Sequence, residues 1–147
     1  MYKTNFLNAF LIVLFLMMIG EISYGQTYGK LYQKAEGEQL YGTAVKSFQF
    51  STEEVLSFLK QTDKVLMFNI NDNKLFILGD SRKSIYPTNT VVSSKEVFSV
   101  YSISLIQELI SKGKSNTIYF EKRNSVLTIS NGGFLLEFAT YCPPFCP

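Results

Sequence analysis

The period of the apolar positions changes several times between Tyr28 and Ala139, and each change marks an element. Ala44 to Phe50 alternates, with Phe48 and Phe50 on one side, which predicts a strand. Ser51 and Glu54 have capping-box spacing, in which hydroxyl and carboxylate satisfy each other's unpaired backbone donors. The helix they open carries Val55, Leu56, Phe58 and Leu59 on one stripe and stops near Thr62. Val65 to Ile70 and Lys74 to Leu78 flank Asn71-Asp72-Asn73 and read as a hairpin. Gly79-Asp80 turns the chain, and Arg82 to Tyr86 is a short edge strand ending at Pro87. Ahead of these, Tyr28, Leu31, Tyr32 and Ala35 recur at helical spacing, predicting an amphipathic helix that Gly42 ends.

The second half repeats the order. Val97 to Tyr101 is a strand, and Ser102 or Ser104 starts a helix carrying Leu105, Ile106, Leu109 and Ile110. Gly113 closes it as a C-terminal cap. Thr117 to Glu121 and Ser125 to Ser130 form a hairpin across Arg123-Asn124, and Gly132-Gly133 turns into a strand from Phe134 to Ala139. A slide of 51 residues lays Phe50 on Tyr101, Ser51 on Ser102, Val55 on Ile106, Asn73 on Asn124 and Leu75 on Val126. That order suggests a tandem β-α-β-β-β unit. The expected fold is α+β: an antiparallel sheet with two amphipathic helices on one face. Val65 to Phe68 and Leu75 to Leu78 are apolar on both sides, so the central hairpin needs a second cover. The helix expected near Tyr28 or a second molecule would provide it. Tandem α+β units of this kind resemble, in architecture alone, the β-lactamase-inhibitor-like and PepSY-like exported domains.

The first 25 residues read as a secretory leader. Lys3 makes a positive start, Ala9 to Ile19 is unbroken apolar sequence, and Ser23-Tyr24-Gly25 offers small residues before a cut. The apolar run is shorter than the roughly 20 residues a membrane span needs. The division expected is a leader over 1–25, one α+β domain over 26–139 and a Cys/Pro-rich tail over 140–147. The remaining ~122 residues support one core. Export places the protein in the periplasm or outside the cell. A net charge of +2 with no long basic run argues against a nucleic-acid partner. The chain has no histidine, which removes the Ser-His and Cys-His catalytic pairs and the commonest metal ligand together.

Chemistry concentrates at the end of the chain, where Cys142-Pro143-Pro144-Phe145-Cys146-Pro147 holds both cysteines. An exported pair four apart can close a disulfide, which would pin the terminus with roughly 2 kcal/mol of loop entropy. Thiol exchange or an intermolecular bridge are the other thiol readings. Cys-x-x-x-Cys-Pro, preceded by Thr140-Tyr141, also resembles the copper-binding loop of the Sco family of copper chaperones. That resemblance implies Cu(I) on the Cys142 and Cys146 thiolates, in a loop ahead of a helix of a thioredoxin-like fold. The family's third ligand, a histidine, has no counterpart here.

Ser57 to Lys60 and Ser111 to Lys114 have Ser-x-x-Lys spacing without the companion motifs of penicillin-recognising enzymes. Gly79-Asp80-Ser81 matches the start of a GDSL-hydrolase motif but suffices as a turn. Asp72, Asp80, Glu121 and Glu137 are the carboxylates available to an acid–base pair. The leading expectation is a non-catalytic, cofactor-free binding or interaction module, holding a protein or glycan on an exposed sheet face. The alternatives are a copper or thiol-redox accessory protein using Cys142 and Cys146, and a hydrolase with a carboxylate or Ser-Lys mechanism.

Overall fold

The computed structural model describes residues 26–137, 139–144 and 146; the expected leader lies outside them. The chain enters as β1 (Lys30–Gln33), turns directly into α1 (Lys34–Tyr41), and leaves through Gly42 at φ 79°. The helix expected from Tyr28 therefore begins later, and Leu31 and Tyr32 belong to a strand. Four residues fit either period, and pairing to a neighbouring strand decides between them. Next come β2 (Ala44–Ser51), α2 (Thr52–Leu59), β3 (Val65–Asn71), β4 (Lys74–Leu78) and β5 (Ser84–Tyr86). Ser51 and Glu54 form the full capping box at the start of α2. The second half runs β6 (Phe98–Ser102), α3 (Ile103–Gly113), β7 (Thr117–Arg123), β8 (Val126–Asn131), β9 (Phe134–Glu137) and β10 (Thr140–Cys142).

The class is α+β with antiparallel pairing, but the strands divide between two five-stranded sheets rather than building one. One sheet has the order β1-β9-β8-β7-β2, the other β10-β6-β3-β4-β5. Each half keeps its last three strands together and sends its first strand to the other half's sheet. β2 pairs with β7, Phe50 opposite Ile118 and Ser51 opposite Thr117. β6 pairs with β3, Tyr101 opposite Leu66 and Ser102 opposite Val65. The two registers correspond residue for residue when first strands are offset by 51 and the strands after the helices by 52. The uniform slide thus holds up to the helices and slips by one residue beyond them, so Leu75 matches Leu127 rather than Val126.

The main core lies between the sheets, plugged by both crossover helices. Val55, Phe58 and Leu59 of α2 and Ile106 and Leu109 of α3 meet Leu66, Phe68, Ile77, Phe120, Ile129 and Leu136. Phe58, Phe50, Phe120, Phe68 and Tyr101 form a chain of rings with successive centroids 5.3, 5.7, 5.0 and 5.7 Å apart, passing from α2 through one sheet into the other. Each buried ring contributes on the order of 1.5–3 kcal/mol.

The second cover expected for the central hairpin exists. Val65, Met67, Leu78, Phe98, Val100 and Cys142 make a smaller core on the far face, against Tyr28 and Val92. Tyr28 is held there by Ser102, whose hydroxyl accepts from the Tyr28 N–H at 2.7 Å and whose own N–H donates to the Tyr28 carbonyl at 2.9 Å. Ser102 therefore begins α3 without capping it by side chain, unlike its counterpart Ser51.

Gly113 is not the left-handed cap. It is the last residue of α3, and Lys114 takes the positive φ of 53°. Glycine is needed there because a methyl group would overlap the Asn131 carbonyl and side-chain oxygens. Asn131, fully buried, donates to the Ser115 and Thr117 carbonyls at 3.0 and 2.8 Å, fixing the loop after α3.

Candidate functional site

Polar chemistry gathers on the outer face of the β1-β9-β8-β7-β2 sheet. Ser47, Glu121 and Thr128 stand opposite one another on β2, β7 and β8, and Glu137 continues the row on β9 opposite Lys30 of β1. α1 lies over this row, its Gly37 pressed on Leu135 so closely that a larger residue would crowd it. Beneath α1, Arg123 is 1% exposed and fully engaged. Its Nη2 donates to Glu121 Oε2 at 2.6 Å, its Nε to Thr128 Oγ1 at 3.0 Å and its Nη1 to the Gly42 carbonyl at 2.5 Å. Tyr41 donates to the Tyr32 hydroxyl at 3.1 Å. Burial, that hydrogen bond and the nearby Glu137 carboxylate push the Tyr41 phenol above its ordinary range. Ser130 Oγ, beside this cluster, is buried without a hydrogen-bond partner among the described residues.

The structure thus brings Glu121 and Glu137 into one row and leaves the other two carboxylates elsewhere. With Arg123 inserted, Glu121 anchors α1. Asp72 sits in the β3–β4 turn at φ 46°. Asp80 accepts from the Asp63, Lys64 and Val65 N–H groups at 2.8, 3.1 and 3.0 Å. Burial alone would raise its carboxyl; the backbone donors prevail and hold it below the usual range. Ser57 donates to the Glu54 carbonyl at 2.7 Å on the exposed side of α2, and Ser111 and Lys114 are exposed at the end of α3.

Cys142 and Cys146 are joined as a disulfide, with Cα atoms 4.7 Å apart. Thr140–Cys142, at the start of the expected tail, forms strand β10 and pairs antiparallel with β6. The oxidised pair offers no thiolate to a metal. It also closes an antiparallel strand, instead of lying ahead of a helix as the Sco resemblance implies. Among the described residues, no group of three or more His, Cys, Asp and Glu side chains is placed to hold a metal ion.

Sequence reasoning missed Arg82. The turn Asp80–Arg82 places Ser81 and Arg82 at φ 54° and 60°, aiming the guanidinium across the outer face of the second sheet. Its Nη1 lies 3.4 Å from Cys142 Sγ, its Nη2 donates to the Ser93 and Glu96 carbonyls at 2.9 and 3.0 Å, and it stacks 4.9 Å over the Phe98 ring. Sixty residues separate Arg82 from Cys142, and no local spacing announces the contact.

Two open hollows flank α3. One, of about 510 Å³, is lined by Lys30, Tyr32, Glu36, Glu108 and Lys112, the last two paired at 2.6 Å. The other, of about 680 Å³, lies at the start of α3 among Tyr28, Lys64, Ser102, Ser104 and Gln107.

The sheet margins differ in a way that bears on binding. β1 closes the β9 edge and β10 closes the β6 edge. β1 and β10 are then sheet edges themselves, and the other two edges are β5 and β2, the counterparts of β9 and β6, with no strand added on their outer sides among the described residues. These two open margins adjoin, since Tyr86 of β5 packs 5.2 Å from Phe50 of β2. Ser47, Gln49 and Ser51 of β2 are exposed, as is Val45 at 66%. The bulge of β2 is confined to its first residues, between Ala44 and Lys46, leaving Lys46–Ser51 regular. No helix of the described residues is long and apolar enough to cross a membrane. No family model, curated protein or solved structure matches the chain.

Proposed function

We propose that the protein is a small exported, non-catalytic interaction module that accepts an extended polypeptide segment along β2. The observation carrying this reading is the asymmetry of corresponding edges. β6 is completed by β10, which pairs antiparallel with Phe98, Ser99 and Val100. The corresponding stretch of β2, Ser47 to Gln49, offers the same backbone geometry and carries no strand among the described residues. An unpaired edge of this length is a template for strand addition, with main-chain bonds giving affinity and alternate side chains giving selectivity. The half-buried Phe48 and the exposed Val45 would flank an added strand. Export is supported by the leader pattern and by a disulfide, which persists in oxidising compartments.

A displayed library of unstructured peptides, selected on the mature protein, tests the reading. Bound peptides are expected to protect backbone amides of Lys46–Ser51 from hydrogen exchange. A selection yielding no binders, or binders that protect only other elements, would refute it.

A further inference from the structure

We propose that Cys142–Cys146 is a thiol–disulfide exchange site, attacked at Cys146, with Arg82 stabilising Cys142 as the leaving thiolate. This inference stands independently of the β2 reading.

Three observations converge on it. The two sulfurs are inequivalent: Cys142 is fully buried in β10, whereas Cys146 is exposed. An incoming thiolate therefore reaches only the Cys146 sulfur. The guanidinium of Arg82 stands 3.4 Å from the other sulfur, Cys142 Sγ, where negative charge develops as the bond breaks. Finally, Arg82 is held in place by the Ser93 and Glu96 carbonyls and the Phe98 ring, and its backbone adopts a left-handed conformation that needs such support. The one carboxylate on this segment, Glu96, is directed to Asn69 Nδ2 at 3.2 Å.

The step balances without a further reagent. A small-molecule thiolate, RS⁻, forms a bond to Cys146 Sγ as the Cys142–Cys146 bond breaks. The products are the mixed disulfide RS–Cys146 and the Cys142 thiolate, the electron pair of the old bond residing on Cys142 Sγ. A second RS⁻ then attacks the RS sulfur of the mixed disulfide. It releases RSSR and the Cys146 thiolate, so that the protein disulfide is reduced to the dithiol and the small thiol is oxidised. The reverse sequence reoxidises the pair. Exchange rates rise as the leaving thiol becomes more acidic. A neighbouring cation lowers a thiol's pKa, while burial raises it. Arg82 decides the balance at Cys142.

The test uses the mature protein with reduced glutathione as probe. In a Cys146→Ser variant, thiolate absorbance against pH isolates Cys142. Its midpoint is expected about one pH unit or more below the ordinary thiol value of about 8.5. Arg82→Gln in the same background should move it to that value or above, while Arg82→Lys keeps most of the depression. In the native disulfide, Arg82→Gln should slow glutathione reduction about tenfold, with the first adduct on Cys146 by mass spectrometry. A Cys142 midpoint at or above the ordinary value, one unmoved by Arg82→Gln, or a first adduct on Cys142 would overturn the proposal. If Arg82→Gln fails to fold, the Cys146→Ser midpoint and the adduct position decide alone.

Discussion

Arg123→Met is expected to lower the unfolding free energy by about 3–5 kcal/mol, and a second change, Glu121→Gln, should restore much of that loss. The cost follows from what each substitution leaves behind. Arg123 and Glu121 are 1% and 5% exposed and bonded at 2.6 Å. Methionine fills most of the arginine volume but strands the Glu121 carboxylate in a buried site. It also removes the donor from the Gly42 carbonyl and leaves the carboxylate only the weaker donation from the Thr128 hydroxyl at 3.3 Å in place of the guanidinium. Stranding the charge costs far more than losing the pair, because an ion pair taken from water gains little net energy when both partners are present. Neutralising Glu121 removes that larger cost. α1 should loosen with the single substitution, since Gly42 ends it and Glu38 reaches to 3.9 Å of the same guanidinium. Chemical denaturation of the two variants measures the effect. A single substitution costing under about 1 kcal/mol would mean that α1 does not cover this cluster in solution.

Gly113→Ala should be of similar severity, about 3 kcal/mol or more, for a different reason. Alanine ordinarily favours a helix over glycine by about 1 kcal/mol, so propensity predicts a gain. The contact predicts a loss, because the added methyl overlaps the Asn131 backbone carbonyl as well as its side-chain oxygen. The backbone of β8 cannot step aside without breaking its pairing with β7, in which Asn131 stands opposite Ile118. A methyl group on Gly132 would in turn overlap the Gly113 carbonyl oxygen, so the end of α3 is seated on the β8–β9 turn from both sides. Thermal unfolding of Gly113→Ala distinguishes the two effects by sign. A variant more stable than the parent would show that the end of α3 stands away from β8.

The elements were largely legible in the sequence, because their causes are local. Ser51 and Glu54 satisfy each other three residues apart, and hairpins close across two-residue turns at Asp72-Asn73 and Asn124-Ser125. The alternation of Tyr119, Glu121 and Arg123 already set a carboxylate and a guanidinium on one side of a strand; their shared burial depends on α1 arriving from far along the chain. The exchange of first strands was not legible for the same reason. Phe50 meets Ile118 and Tyr101 meets Leu66, and alternation states that a strand has two faces without stating which edge it joins. The sequence of β1 also fits a helix, because four residues satisfy both periods. Of the candidate sites, the disulfide followed from spacing, while its partner Arg82 and the open margin of β2 exist only once the sheets are assembled.

The architecture turns on β2 and β6 having changed sheets, and interstrand nuclear Overhauser contacts in the isotope-labelled protein test that most directly. Backbone contacts are expected to link Ser47 through Ser51 to Thr117 through Glu121, and Ser99 through Ser102 to Val65 through Phe68. Contacts joining β2 to β3, or β6 to β7, would place each first strand with its own half. They would contradict both the two-sheet core and the open edge proposed to bind.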